Sequence, residues 1–330
     1  MLHAFDFKYR LEVIECVSGH HDDSRWPADL LKCCAFRLQE IPPSTVLVFC
    51  HKCVDVFAVK HKCPSEIVSR AQLRAPTRLL AAKESQSGEA QFYFSDESLS
   101  VLKNVVRRSQ IEGVLCLGTP RLFEELRQET GDRRLFLLDY DKRFAQFFPA
   151  HQFGQYSMLV DHFYDERSSE ELHGFFECSS VLLVCDPPFG VFLNPLMRTC
   201  SVSTGISFDV KNLEVLGNVL EDYKDYWMSD YRITYESHRL FSNASKTIVR
   251  CFTNLKADVF DLSNVKGYKF CEFCEKYVSS TNKHCFMCSS CTSKVYTYKH
   301  CDRCMRCVKV SYYHCKKCTR CHLKGRFDHD

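Results

Sequence analysis

An α/β chain is predicted, built on a Rossmann-like, mostly parallel sheet with a cysteine/histidine-rich zinc module behind it and a small zinc knuckle ahead of it. Three observations predict it. Short apolar runs alternate with helix-like stretches between residues 91 and 186; eleven of the 22 cysteines fall between Cys271 and Cys321; and Cys50-His51-Lys52-Cys53 precedes both. Strands alternating with helices imply a doubly wound sheet whose ligands sit at the carboxyl ends of the strands.

Taken in order, residues 1–32 show little periodicity and a polar cluster at His20-His21-Asp22-Asp23-Ser24, and read as irregular. Residues 33–75 are a knuckle region, where Cys50 and Cys53 with His61 and Cys63 make a candidate single zinc site. The adjacent Cys33 and Cys34 suit either ligands or buried thiols. Residues 76–264 form the α/β domain. There, residues 98–107 read as a helix and 113–118 as a buried strand ending in Gly118-Thr119-Pro120, and Pro120 opens a helix over 120–129. Strands follow at 134–139, 156–161 and 181–186, with a helix at 168–177 before the last. Gly118, Asp139, Asp161 and Asp186 end these strands and are expected to line one crevice. Residues 231–236 and 246–252 read as an antiparallel pair at the sheet edge, and 258–265 as a linker into the module of residues 265–330.

Composition limits the class. The 330 residues are 45% hydrophobic, enough for a real core, and no run of eighteen apolar residues predicts a membrane span. Asp6 interrupts the first apolar stretch, so no signal peptide is expected, and a reducing compartment follows. Cysteine pairs two residues apart are there read as metal ligands rather than disulfides. The net charge of +3 is uneven: residues 265–330 hold 14 Lys and Arg against 5 Asp and Glu, a surplus of nine, while the other 264 residues hold 30 against 36. A basic tail on a mildly acidic body fits a polyanion partner for the tail.

The module repeats His-Cys-x-x-Cys-x-x-Cys three times after Cys271-x-x-Cys274. Interleaving predicts the sets Cys271, Cys274, His284, Cys291; then Cys285, Cys288, His300, Cys307; then Cys301, Cys304, His314, Cys321. Cys315 and Cys318 remain for a fourth site completed by His322 or His329. Four to five zinc ions follow from this count, and roughly 10–16 kcal/mol of apparent binding energy per structural site can fold a module too small for a core. Lysines, arginines and tyrosines between the knuckles fit phosphate contacts and base stacking, and fit a solvated surface on a metal scaffold too.

Asp186-Pro187-Pro188-Phe189 carries the chemistry. As structure alone it is a rigid turn. As a site it explains all four residues: Asp186 and the Pro187 carbonyl accept the two N–H donors of an exocyclic amine, Pro188 stiffens the turn, and Phe189 stacks on the base. Gly118 would let the backbone approach a nucleotide-like ligand, and Asp139 would accept from ribose hydroxyls, although a glycine turn and a helix cap are the plainer readings of those two.

Together the runs at 114–121 and 137–139, Asp186-Pro187-Pro188-Phe189-Gly190 and the array from Tyr268 to Cys321 resemble the CCHC-zinc-finger ribosomal RNA adenine-N6 methyltransferases across about residues 36–322. That resemblance implies a class I methyltransferase sheet, S-adenosylmethionine as methyl donor, large-subunit rRNA as substrate and partner, no membrane, and a nuclear or nucleolar as well as cytoplasmic location. It implies that Gln91, Phe92, Tyr93, Phe94, Gly118, Arg121, Asp139, Ser157 and Met158 surround the cofactor, and that Asp186 to Phe189 hold the adenine. The sequence departs from the family at 200–218, which is polar and broken by Gly205 and Gly217 where the family has a helix and an aromatic strand. The alternative expectation is a non-catalytic zinc-finger RNA-binding protein that keeps a degenerate methyltransferase fold; a methyltransferase acting on protein amines would more often show Asn in place of Asp186.

Overall fold

The computed structural model describes residues 41–58, 62–83, 90–129, 131–188, 226–236, 238–292 and 298–326. The expectations for residues 1–32 and 200–218, and for Cys33, Cys34, His61, Phe189 and His329, fall outside them. Three short strands, β1 (Leu47–Cys50), β2 (Asp55–Phe57) and β3 (Glu66–Val68), make a small antiparallel sheet in the order β2-β1-β3, followed by α1 (Arg70–Leu73). Phe49 is fully buried and its ring meets Phe147, so this knuckle region packs on the α/β body.

The next helix, α2 (Asp96–Ser109), begins where Ser95 Oγ accepts from the Ser98 amide. Asp96 and Glu97 fill its first turn and Arg107 and Arg108 its last, matching the helix dipole. It leads into β4 (Gly113–Leu117), α3 (Pro120–Arg127), β5 (Arg134–Asp139), β6 (Phe153–Ser157), β7 (His162–Phe163), α4 (Glu166–Phe175) and β8 (Val181–Cys185). The sheet order is β7-β6-β5-β4-β8, parallel except for β7.

Every residue of β4 is buried because both faces are covered. Val114, Cys116, Leu137, Leu182 and Val184 face Leu102, Val105, Leu122 and Phe123 of α2 and α3. The alternate residues Leu115, Leu117, Phe136, Leu138 and Leu183 face Leu172 and Phe175 of α4. Gly154 lets α4 cross β6 closely, since a Cβ there would lie 3.0 Å from both Leu138 Cδ2 and Ser168 Cβ, tighter than ordinary contact.

Two boundaries differ from the sequence reading. The strand expected at 156–161 lies at Phe153–Ser157, because the apolar Met158, Leu159 and Val160 form a turn in which Val160 is exposed and Asp161 has φ +51°. The expected edge pair is instead a separate two-stranded antiparallel sheet, β9 (Trp227–Arg232) with β10 (Arg250–Thr253). The stretch read as a linker also packs: Phe260 and Leu262 are buried, and the Phe260 ring meets Trp227 edge-on.

The remainder is a chain of two-stranded ribbons: β11 (Tyr268–Cys271) with β12 (Lys276–Ser279), β13 (His284–Cys285) with β14 (Ser290–Cys291), β15 (Tyr298–Cys301) with β16 (Arg306–Lys309), and β17 (Tyr313–Cys315) with β18 (Arg320–His322). The first ribbon is fastened to β9. Asp230 Oδ2 accepts from the Ser279 amide and from Nδ2 of the fully buried Asn282, both at 2.9 Å, and Tyr268 Oη accepts from the Arg232 amide at 3.0 Å.

Removing the Asp230 carboxylate leaves two donors without it, one on a buried side chain, at a cost of about 1–3 kcal/mol. Asp230→Ala should therefore speed amide exchange across residues 276–284 while protection in β4 and β5 stays as in the wild type.

Candidate active site and metal centres

The site lies where the strand order reverses. β5 and β6 follow β4 on one side and β8 pairs with it on the other, so the ends of β4 and β8 open a crevice. The ladder continues one residue past the strands, with the Asp186 amide donating to the Leu117 carbonyl at 3.0 Å and the Gly118 amide to the Leu138 carbonyl at 2.8 Å. Those bonds bring Gly118 and Asp186 side by side.

Gly118 has φ +67°, and a Cβ on it would stand 2.7 Å from Met158 Cε and 3.0 Å from the Asp186 carbonyl oxygen. Glycine is thus favoured twice, by its left-handed backbone and by the closeness of the Asp186 carbonyl. The cleft, open to solvent on one side, is lined by Lys83, Ala90, Gln91, Phe92, Gly118, Asp139, Tyr140, Asp141, Met158, Asp186, Pro187 and Pro188.

Of the residues the resemblance assigned to a cofactor, Gln91, Phe92, Gly118, Asp139 and Met158 line this cleft. Four others do not line it. Phe94 is buried against Tyr235, Tyr93 Oη donates to Gln91 Oε1, and Ser157 pairs with His162 across β6 and β7. Arg121 is buried and its guanidinium holds the Phe94 carbonyl, Asp96 and Glu236. Its two terminal nitrogens tie the segment after the Gln91 loop to the chain beyond β9. Asp161, expected in the same crevice, instead accepts from Tyr156 Oη at 2.5 Å. Among the Asp-Pro-Pro-Phe residues, Asp186, Pro187 and Pro188 line the cleft.

Asp139 ends β5 with 6% of its surface exposed and accepts from the Asp141 amide at 2.8 Å. Burial pushes its carboxyl up to about 7, against the Asp141 amide and the nearby Lys83 and Arg143 cations. Burial acts on Asp141 too, but the Arg143 fork and Lys83 Nζ at 3.0 Å outweigh it and hold that carboxyl below its ordinary value. Two adjacent acids are thus set to opposite sides of the usual range.

The sequence reading gave no role to Tyr235, whose side chain is fully buried and whose Oη donates to Asp186 Oδ1 at 2.9 Å. Its backbone bridges Phe94, and its ring lies against Phe94 and Phe92. The signal available was a phenol in a strand-like run, which names no partner by itself.

In the ribbons, Cys271, Cys274, His284 and Cys291 come together, as do Cys285, Cys288, His300 and Cys307, and Cys301, Cys304, His314 and Cys321. Cys315 and Cys318 gather with His322, and Cys50 and Cys53 with Cys63. Within each group the ligand atoms lie within 4.8 Å of one another, a separation and donor chemistry that suit zinc. His284, His300 and His314 turn Nδ1 toward the sulfurs, whereas His322 Nδ1 meets the Leu323 carbonyl at 2.8 Å. His51 pairs with Glu66 instead of joining the Cys50 group. The knuckles share one backbone shape: Val54, Glu275, Ser289, Met305 and Thr319, each directly after the second cysteine of a pair, have φ between +49° and +56°. At Cys315 the knuckle amide of Cys318 is the chief cause that holds the thiol down, to about 6, which favours the ligating thiolate.

A family model described as "Probable N6-adenine methyltransferase" matches residues 85–291. The rRNA N(6)-adenosine-methyltransferase ZCCHC4 of Homo sapiens is 33% identical over 255 residues, 69% of this chain and 50% of its own length. Its Xenopus tropicalis counterpart is 34% identical over 245 residues, 66% of this chain and 50% of its own length. A protein named protein-lysine N-methyltransferase M142.8, of Caenorhabditis elegans, is 27% identical over 188 residues, 52% of this chain and 78% of its own. The chain spans about half the length of the ZCCHC4 relatives it matches.

The Asp139 carboxyl gives a pH prediction. Its folded value of about 7 lies above the ordinary 3.8, so the cost of its ionised form is absent below about pH 4, grows as pH rises and is complete above about pH 7. Urea midpoints should show Asp139→Asn more stable than the wild type at pH 8, by on the order of 2–4 kcal/mol, with the difference vanishing near pH 4.

Proposed function

From the premise that this chain belongs to the N6-adenine methyltransferase family, we propose that it transfers a methyl group from S-adenosylmethionine to an adenine N6 of RNA, with large-subunit rRNA as the substrate. The observation that carries the reading is the single rim on which Gly118, Asp139 and Asp186 meet. The cradle suits the donor: a Cβ at residue 118 would intrude on it, and the buried Asp139 carboxylate is matched to a pair of ribose hydroxyls. S-adenosylmethionine, when bound, supplies an electrophilic methyl group on its sulfonium.

The protein's part is positioning. The lone pair of an adenine amine is delocalised into the ring, so the amine must be held in line with the methyl carbon. Asp186 accepts one N6–H and the Pro187 carbonyl the other, with Phe189 against the base. With the donor bound, its sulfonium would supply the methyl carbon and keep the bonding pair that leaves it, and the proton that N6 sheds would pass along its hydrogen bond to the Asp186 carboxylate. The Tyr235 hydroxyl fixes the rotation of the Asp186 carboxylate, and the packed ring keeps that hydroxyl in place. Holding the reacting groups in line supplies most of the rate, and a 1 Å error costs about 100-fold.

Three zinc ions each join one ribbon to the next, a fourth sits in the last ribbon at Cys315, Cys318 and His322, a fifth is held by Cys50, Cys53 and Cys63, and the basic module grips the RNA. A nuclear and nucleolar location, with a cytoplasmic pool, belongs to the same proposal.

Tritium transfer from labelled cofactor to rRNA that lacks the modification tests it. Wild-type protein should incorporate label into adenine N6, and Asp186→Ala should lose at least about 100-fold. Tyr235→Phe, which keeps the ring, should lower kcat roughly 10-fold with KM for RNA and thermal midpoint unchanged, as expected for a hydrogen bond to a charged group. No incorporation by wild-type protein at saturating cofactor, with RNA still bound, would instead establish a non-catalytic RNA-binding protein; label in protein lysine would establish an amine acceptor of another class.

A further inference from the structure

The ribbon tips differ in what they present. In the first two knuckles the residues between the paired cysteines include Phe273, Phe286 and Met287, which are 67%, 68% and 65% exposed. In the third they are Asp302 and Arg303 and in the fourth Lys316 and Lys317, all exposed. Large apolar side chains so open to water, on two successive knuckles, are not explained by packing.

The two phenylalanines are also held in place. Their rings meet edge-to-face at 4.8 Å, and each lies 5.0 Å from the ring of His284. His284 Nδ1 is itself 3.2 Å from Cys274 Sγ within a metal-ligand group. The exposed pair is therefore mounted on a ligand of the first metal site and spans the first and second knuckles.

We infer that Phe273 and Phe286 form a stacking platform for bases of a single-stranded RNA segment whose phosphates run toward the basic third and fourth knuckles. Charge selects the occupant and its direction. Residues 265–330 carry a surplus of nine positive charges, which favours a polyanion over a second protein surface. Glu272 and Glu275 flank Phe273 and disfavour phosphate there, so a nucleic acid meets this end with its bases. Stacking on an aromatic face needs no base-specific hydrogen bond, so the platform tolerates any sequence. The inference rests on the RNA reading above and adds the part of the chain that holds RNA away from the cleft.

Fluorescence anisotropy of the full zinc-loaded chain with a labelled, mixed-sequence single-stranded oligoribonucleotide tests it. Phe273→Leu/Phe286→Leu keeps the apolar bulk and removes the faces; it should weaken binding at least about 5-fold, the low end of base–aromatic stacking. Its zinc content should stay that of the wild type, and so should the slope of log Kd against log salt, because no charge is lost. Lys316→Ala/Lys317→Ala should reduce that slope instead. Affinity within twofold of wild type in the phenylalanine variant overturns the platform, as does a wild-type dimer in sedimentation that the variant abolishes. A wild-type chain that binds no RNA overturns both this inference and the RNA reading, whereas binding without methyl transfer overturns the enzyme alone.

Discussion

The rim of this protein depends on the parallel register of β4 with β5 and β8. Leu117 lies opposite both Leu138 and Cys185, so Gly118, Asp139 and Asp186 follow at one level. Two backbone bonds, Asp186 amide to Leu117 carbonyl and Gly118 amide to Leu138 carbonyl, carry the alignment past the last side chains of the sheet. A slip of one residue would turn Asp186 to the opposite face and exchange the core layers behind α2, α3 and α4. The apolar alternation of β4, β5 and β8 is what forbids that slip.

How much of this was legible in the sequence follows from how local each signal is. The buried runs at β4, β5 and β8 declare themselves because strands covered on both faces are uninterrupted by polar residues. The cysteine spacing names ligand groups because a metal leaves few alternatives to a chain with so short a repeat. Met158, Leu159 and Val160 misled for the converse reason: an apolar run looks like a strand, yet here it turns the chain back toward β7 and places Met158 beside Gly118. Arg121 and Tyr235 were illegible in their roles because their partners, Glu236 and Asp186, are distant in sequence and met only through the tertiary fold.

The body and the first ribbon share β9. Tyr231 points into the body, fully buried and close to Tyr268, while its neighbour Asp230 reaches the ribbon through Ser279 and Asn282. Four residues beyond Tyr231, Tyr235 meets Asp186. Alternation along an extended segment thus gives successive side chains different tasks, and the ribbon forms part of the wall behind the segment that orients the carboxylate. The family match, which runs from residue 85 to 291, likewise crosses from the α/β body into the first ribbons.

The knuckle backbone explains how so small a repeat can be rigid enough to present side chains. The left-handed position after each pair is filled by Val54, Glu275, Ser289, Met305 or Thr319, never by glycine among the described residues. Such a conformation costs an L-residue roughly 1–2 kcal/mol, most for the β-branched Val54 and Thr319. A ribbon of two short strands could not sustain that strain by its own hydrogen bonds. A metal site contributes several times as much, so the strained turn and the ligand group are parts of one arrangement. Glycine would relieve the turn but would also give the unfolded chain more freedom to lose. At Glu275, Ser289, Met305 and Thr319 the turn projects its side chain into solvent, whereas Val54 packs against the core of the body.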